Sequence, residues 1–140
     1  MAESVSFFFF FSSKGILCGA NWRNISLGNT ITLTSPNFPL YYPPDVQCIW
    51  HLKSINGLSF AIKFLNFDTE PETDVLTLGK GEDIIADSTM ISFSSLIPAQ
   101  VVAVLETSAM WLTFDSNIVG TKSGFELQIE RIPNSGECFV

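Results

Sequence analysis

The chain has 140 residues, 14 acidic and 7 basic, for a formal net charge of −7 at pH 7. That length suits one domain with a full core. The acidic balance and the lack of a Lys/Arg cluster argue against nucleic acid, heparin and anionic membrane surfaces as partners, all of which select a basic footprint. Thirteen phenylalanines among scattered Ser and Thr favour strands over helices.

Residues 1–17 hold an unusual run, Phe7 to Phe11. Glu3 stands where a signal peptide would carry Lys or Arg, and Ser12-Ser13-Lys14 is a poor cleavage site. The run falls well short of the roughly 20 apolar residues needed to cross a bilayer. It reads as a leader outside the domain, a weak signal peptide being the alternative, with no membrane insertion by this segment. Asn24-Ile25-Ser26 is an N-x-S sequon, so Asn24 is a candidate glycan site in a surface loop if the chain enters the secretory route.

Ile31-Thr32-Leu33-Thr34 alternates apolar and polar, the period of a half-buried strand. Ser35-Pro36-Asn37 stops it, because proline has no N–H for a ladder and Asn favours turns. Phe38 to Pro44 is a stiff, extended, proline-rich segment. Cys48 and Trp50 lie two apart, on one face of the next strand, as a disulfide packed under an indole would require. His51 then points to the other side, towards solvent.

Ser54 to Gly57 signals a turn. Leu58 to Phe67 alternates again, with Leu58, Phe60, Ile62, Phe64 and Asn66 on the predicted buried side and Leu65 and Phe67 on the other. Val75 to Leu78 is the next predicted strand, turned by Gly79-Lys80-Gly81. Glu82 to Gln100 says little. Val101 to Leu105, Ser108 to Phe114 and Gly124 to Ile129 complete the predicted strands. Strand after strand without an amphipathic helix points to an all-β, antiparallel β-sandwich.

Ser35 to Trp50 spells S-P-N-F-P-x-x-Y-P-x-x-x-x-C-x-W, which resembles the signature of the CUB domain. Four further stretches are similar to that family. Cys18-Gly19 resembles its opening, Phe67-Asp68-Thr69-Glu70 its F-D-x-E, Ser116-Asn117 its S-D loop, and Gly124-Phe125 its closing strand. The resemblance covers residues 18–131 and leaves 132–140 as linker or truncated tail. It implies two sheets of about five strands, jelly-roll-like, pinned by a Cys18–Cys48 disulfide. The family's second disulfide has no counterpart here, and Cys138 is left to pair outside the segment, if at all.

The resemblance also implies a calcium site. The matching positions are Glu70, Asp74 and Asn117, with Asp68 and Asp115 as secondary candidates. Calcium takes about six to eight oxygens, and Asn117 brings an amide where the family has a carboxylate. A solvated acidic loop is the alternative. In the family such a site orders loops that grip a lysine or arginine of a partner protein.

Nothing points to catalysis. His51 is the one histidine, no Gly-rich phosphate loop is present, and no Cys/His spacing suits zinc. The expectation is a non-catalytic, secreted or extracellular protein-interaction module. Its parent would be a larger modular protein, such as a membrane-anchored serine protease or receptor. The alternative is a standalone secreted carbohydrate or glycoprotein binder similar to spermadhesins.

Overall fold

The computed structural model describes residues 15–54, 59–85 and 90–133. Among these residues lie nine strands and no helix. They are β1 (Ile16–Asn24), β2 (Thr30–Thr34), β3 (Val46–Lys53), β4 (Ser59–Asp68), β5 (Val75–Lys80), β6 (Ile91–Phe93), β7 (Val101–Leu105), β8 (Ala109–Asp115) and β9 (Gly124–Ile132). One sheet has the order β1-β3-β8-β5-β6 and the other β2-β9-β4-β7. The expected ten strands in two fives are thus nine, five and four, among the described residues.

Alternation builds the core. β3 turns Val46, Cys48, Trp50 and Leu52 inward, β8 turns Met110, Leu112 and Phe114, and β9 turns Phe125, Leu127 and Ile129. Each large side chain so buried contributes about 1.5–3 kcal/mol of transfer free energy. Phe125 is the hub, meeting Trp50, Phe67 and Phe114 at ring separations of 6.1, 5.9 and 5.0 Å.

Cys18 and Cys48 are joined, and they face each other in register between β1 and β3. The expected β-sandwich is present and its ladders are antiparallel, except that among the described residues the β1–β3 pairing is parallel. β1 begins at Ile16, two residues before the expected start of the domain. It must run alongside β3 for the two cysteines to sit side by side.

Three local expectations are corrected. First, a register shift between Phe64 and Asn66 places two residues where the ladder expects one. Asn66 is therefore exposed and Phe67 buried, the reverse of simple alternation. Secondly, Gly79 and Lys80 extend β5 rather than turning it. The Trp111 indole lies so close to Gly79 that a Cβ there would overlap it. Thirdly, His51 does not stand open to solvent. The ring of Trp22 from β1 covers it at 4.7 Å, and His51 Nδ1 is buried with no hydrogen-bond partner among the described residues.

Several expectations fall outside the described residues. They are the leader's Phe7–Phe11 run, positions 55–57 of the expected turn, Leu58 on the β4 face and the tail with Cys138.

Candidate functional site

The loops at one end of the sandwich meet around a buried carboxylate. Pro43 and Pro44 hold the chain extended before β3, and this sets the Tyr42 ring edge-on against Phe114 at 5.1 Å. From there the Tyr42 hydroxyl donates to Asp74 Oδ2 at 2.6 Å. The same hydroxyl accepts the Glu70 N–H at 3.1 Å. Asp74, wholly buried, takes a second bond on Oδ1 from the Asn117 N–H at 2.9 Å. Thr69 Oγ1 donates to the Asp74 carbonyl at 2.9 Å and accepts the Ser95 N–H at 3.1 Å.

This network brings the backbone of Glu70 and of Asn117 to the Tyr42 hydroxyl and the Asp74 carboxylate. Burial, and after it the hydrogen bond to Asp74, pushes the Tyr42 phenol well above its ordinary range. Tyr42 therefore stays a neutral donor to the carboxylate at any physiological pH. Ser116 fixes the third loop: its hydroxyl donates to the Pro43 carbonyl at 3.1 Å and accepts the Val46 N–H at 2.9 Å.

The oxygens differ in their commitments. Both Asp74 oxygens accept one hydrogen bond each, which leaves lone pairs on both. Asn117 Oδ1 accepts the Val119 N–H at 3.1 Å. Glu70 is half-buried, and its carboxylate presses against the Cα of Gly120, whose φ of +81° and lack of a Cβ make the approach possible. Among the described residues no group of three or more His, Cys, Asp or Glu is arranged to hold a metal.

The secondary candidates lie elsewhere. Asp115 projects from the outer face of β8, where its Oδ1 accepts from Gln47 Nε2 at 3.2 Å. Asp68 ends β4 and lines a cleft with Phe38, Leu96 and Pro98. Asn24 is the exposed last residue of β1, at a strand end rather than in a free loop, while Ile25 is buried behind it. Sequence reasoning did not single out Tyr42 for the site. Its signal is its place in the motif, as the tyrosine before Pro43, from which its hydroxyl reaches both Asp74 and the Glu70 N–H.

A family model for the CUB domain matches residues 18–129. Human cubilin is 32% identical over 99 residues, 67% of this chain and 3% of cubilin's length. Pig cubilin is 30% identical over 118 residues, 79% of this chain and again 3% of its length. The chain thus corresponds to a small part of these relatives. Among solved structures, the CUB1-EGF-CUB2 region of human MASP-1/3 superposes with a TM-score of 0.64 at 21% identity, over 82% of this chain and 42% of that one. The MASP-1 CUB2 domain bound to Ca2+ superposes with a TM-score of 0.56 at 21% identity, over 76% of this chain and 96% of that one. At such identities the structural likeness speaks for the fold. On the family match and its motifs, this chain belongs to the CUB domain family.

Proposed function

We propose that this CUB domain is a non-catalytic, extracellular interaction module that binds a partner protein through the loops carrying Glu70, Asp74 and Asn117. The observation that supports it is their convergence on the Tyr42 hydroxyl and the wholly buried Asp74 carboxylate. The Asp74 oxygens each accept one hydrogen bond and keep a further lone pair, so a positive charge brought among these loops would be favoured. Ile118 and Val119 stand exposed beside it and add apolar contact area for a partner.

Calcium is the ion that best suits the donors. Glu70 and Asp74 would supply charged oxygens, Asn117 Oδ1 a neutral one, and backbone carbonyls and water the remainder. The ion would bring the positive charge that holds two acidic loops together. With only two carboxylates, and Asn117 Oδ1 drawn towards Val119, binding would be weak. The partner-facing use of this end would weaken in proportion. We place the domain in a longer modular extracellular protein. No helix of the described residues is long and apolar enough to cross a membrane.

Calorimetric titration with calcium tests the reading. Heat of binding should appear with the native chain and vanish in Glu70→Ala. A native chain that gives no heat removes calcium from the proposal.

A further inference from the structure

A second feature lies at the end of β4, next to its bulge. Residues 95–100 lie along the end of β4, where Thr69 N–H donates to the Ser95 carbonyl at 3.0 Å, Ile97 N–H to Phe67 at 3.1 Å and Gln100 N–H to Phe64 at 2.8 Å. Ser95 and Gln100 both sit at φ 75°, which turns the chain out between them. A cleft of about 570 Å³ results, lined by Phe38, Pro39, Leu96, Ile97, Pro98 and the end of β4. That volume falls in the roughly 300–1,000 Å³ range of ligand clefts. Its lining is mainly apolar, and Asp68 is the one charged residue in it. Within the described residues the Asp68 carboxylate has no hydrogen-bond donor and no ion pair.

These features select the occupant. A purely apolar group would strip water from the Asp68 carboxylate and leave it unpaired. An acidic group would be repelled, by Asp68 and by the chain's net charge of −7. A lysine or arginine side chain meets both demands, with its stem on the apolar walls and its cationic end at the carboxylate. We propose that this cleft is a calcium-independent subsite for a basic side chain of the partner protein. The inference rests on the reading of this domain as a partner-binding module, but uses neither Glu70 nor Asp74.

The test is a titration of the 15N-labelled full chain in EDTA with Nα-acetyl-lysine N-methylamide, followed by amide shifts. Leu96, Ile97 and Ser123 should move with saturation. Asp68→Asn should weaken binding about fivefold, as should the neutral norleucine analogue or about 0.5 M salt. Glu70→Ala should bind the probe as the native chain does. The assignment is overturned if those amides do not shift, if Asp68→Asn or norleucine binds equally well, or if Glu70→Ala abolishes the shifts. Preserved amide dispersion in each variant confirms that the fold is intact. A failure of calcium binding alone would leave the lysine-probe shifts in place, so the two readings fail separately.

Discussion

Two buried polar residues, Tyr42 and Arg131, carry opposite consequences. The Tyr42 hydroxyl bonds both the Asp74 carboxylate and the Glu70 N–H, so Tyr42→Phe strands one acceptor and one donor at once. Leaving such groups unsatisfied costs about 1–3 kcal/mol. Urea denaturation should show that loss with an unchanged m-value, and any residual calcium heat should fall with it. Arg131 is the reverse case. It is buried at the end of β9, where Nε, Nη1 and Nη2 have no hydrogen-bond partner among the described residues, and its guanidinium lies 4.4 Å from the Phe60 ring centre. Burial lowers its pKa to about 10. Below that pH both the folded and the unfolded chain are charged here, and the burial cost is constant. Above it the folded chain has released a proton that the unfolded chain still holds, so stability from this group rises with pH. Arg131→Met keeps the volume and removes the charge. It should raise stability by about 1–2 kcal/mol at neutral pH, after loss of the cation–π contact. That advantage should shrink above pH 10. A destabilised Arg131→Met in urea melts would show that the guanidinium contributes more than it costs.

At the scale of elements, Gly79 shows why parts of the chain were legible and others not. A Gly-Lys-Gly triplet after four alternating residues reads as a turn, yet β5 runs through it because the Trp111 indole packs where a Cβ would be. Trp111 comes from β8, 32 positions along, and no local pattern announces such a cross-strand partner. Gly79→Ala should therefore cost about 1–3 kcal/mol by overpacking and shift Trp111 fluorescence to the red as its cover loosens. An unchanged melt and spectrum would mean that the indole moves aside freely. The same logic sorts the other strands. β2, β3 and the first half of β4 were legible because alternation is a local property of a strand with one wet face. The β4 bulge was not, since one inserted residue leaves composition untouched and reverses which of Asn66 and Phe67 is inside. Glu70, Asp74 and Asn117 were singled out through motif resemblance alone, and no local pattern says that their loops meet. Their dependence on Tyr42, and the cleft at Asp68, arise from loops that approach only in the folded chain.

For the molecule as a whole, the Cys18–Cys48 bond has a job that its position in the topology defines. Among the described residues β1 is an outer strand with β3 as its one sheet neighbour. It adds little to the common core: Leu17 and Trp22 are largely exposed, and Cys18 packs against the cluster only in part. β3, by contrast, is held by β8 along seven residue pairs and buries four side chains. Cross-linking across a sequence separation of 30 lowers the entropy of the unfolded chain by an amount worth about 3–4 kcal/mol. Because β1 is otherwise held by one ladder to β3 and by the contacts of Trp22, with little share in the core, its detachment should be the lowest-energy opening once the link is cut. The reduced domain should then lose protection first at β1, uncovering His51 as Trp22 departs, while β3, β8 and β9 stay closed. Hydrogen exchange read by mass spectrometry, with and without reductant, separates this from its competitor. Fast exchange confined to residues 16–24 supports a strand held on chiefly by the bond. Simultaneous loss of protection in β3 and β8 would show that the disulfide secures the sandwich itself, and that the packed interior between the sheets cannot stand without it.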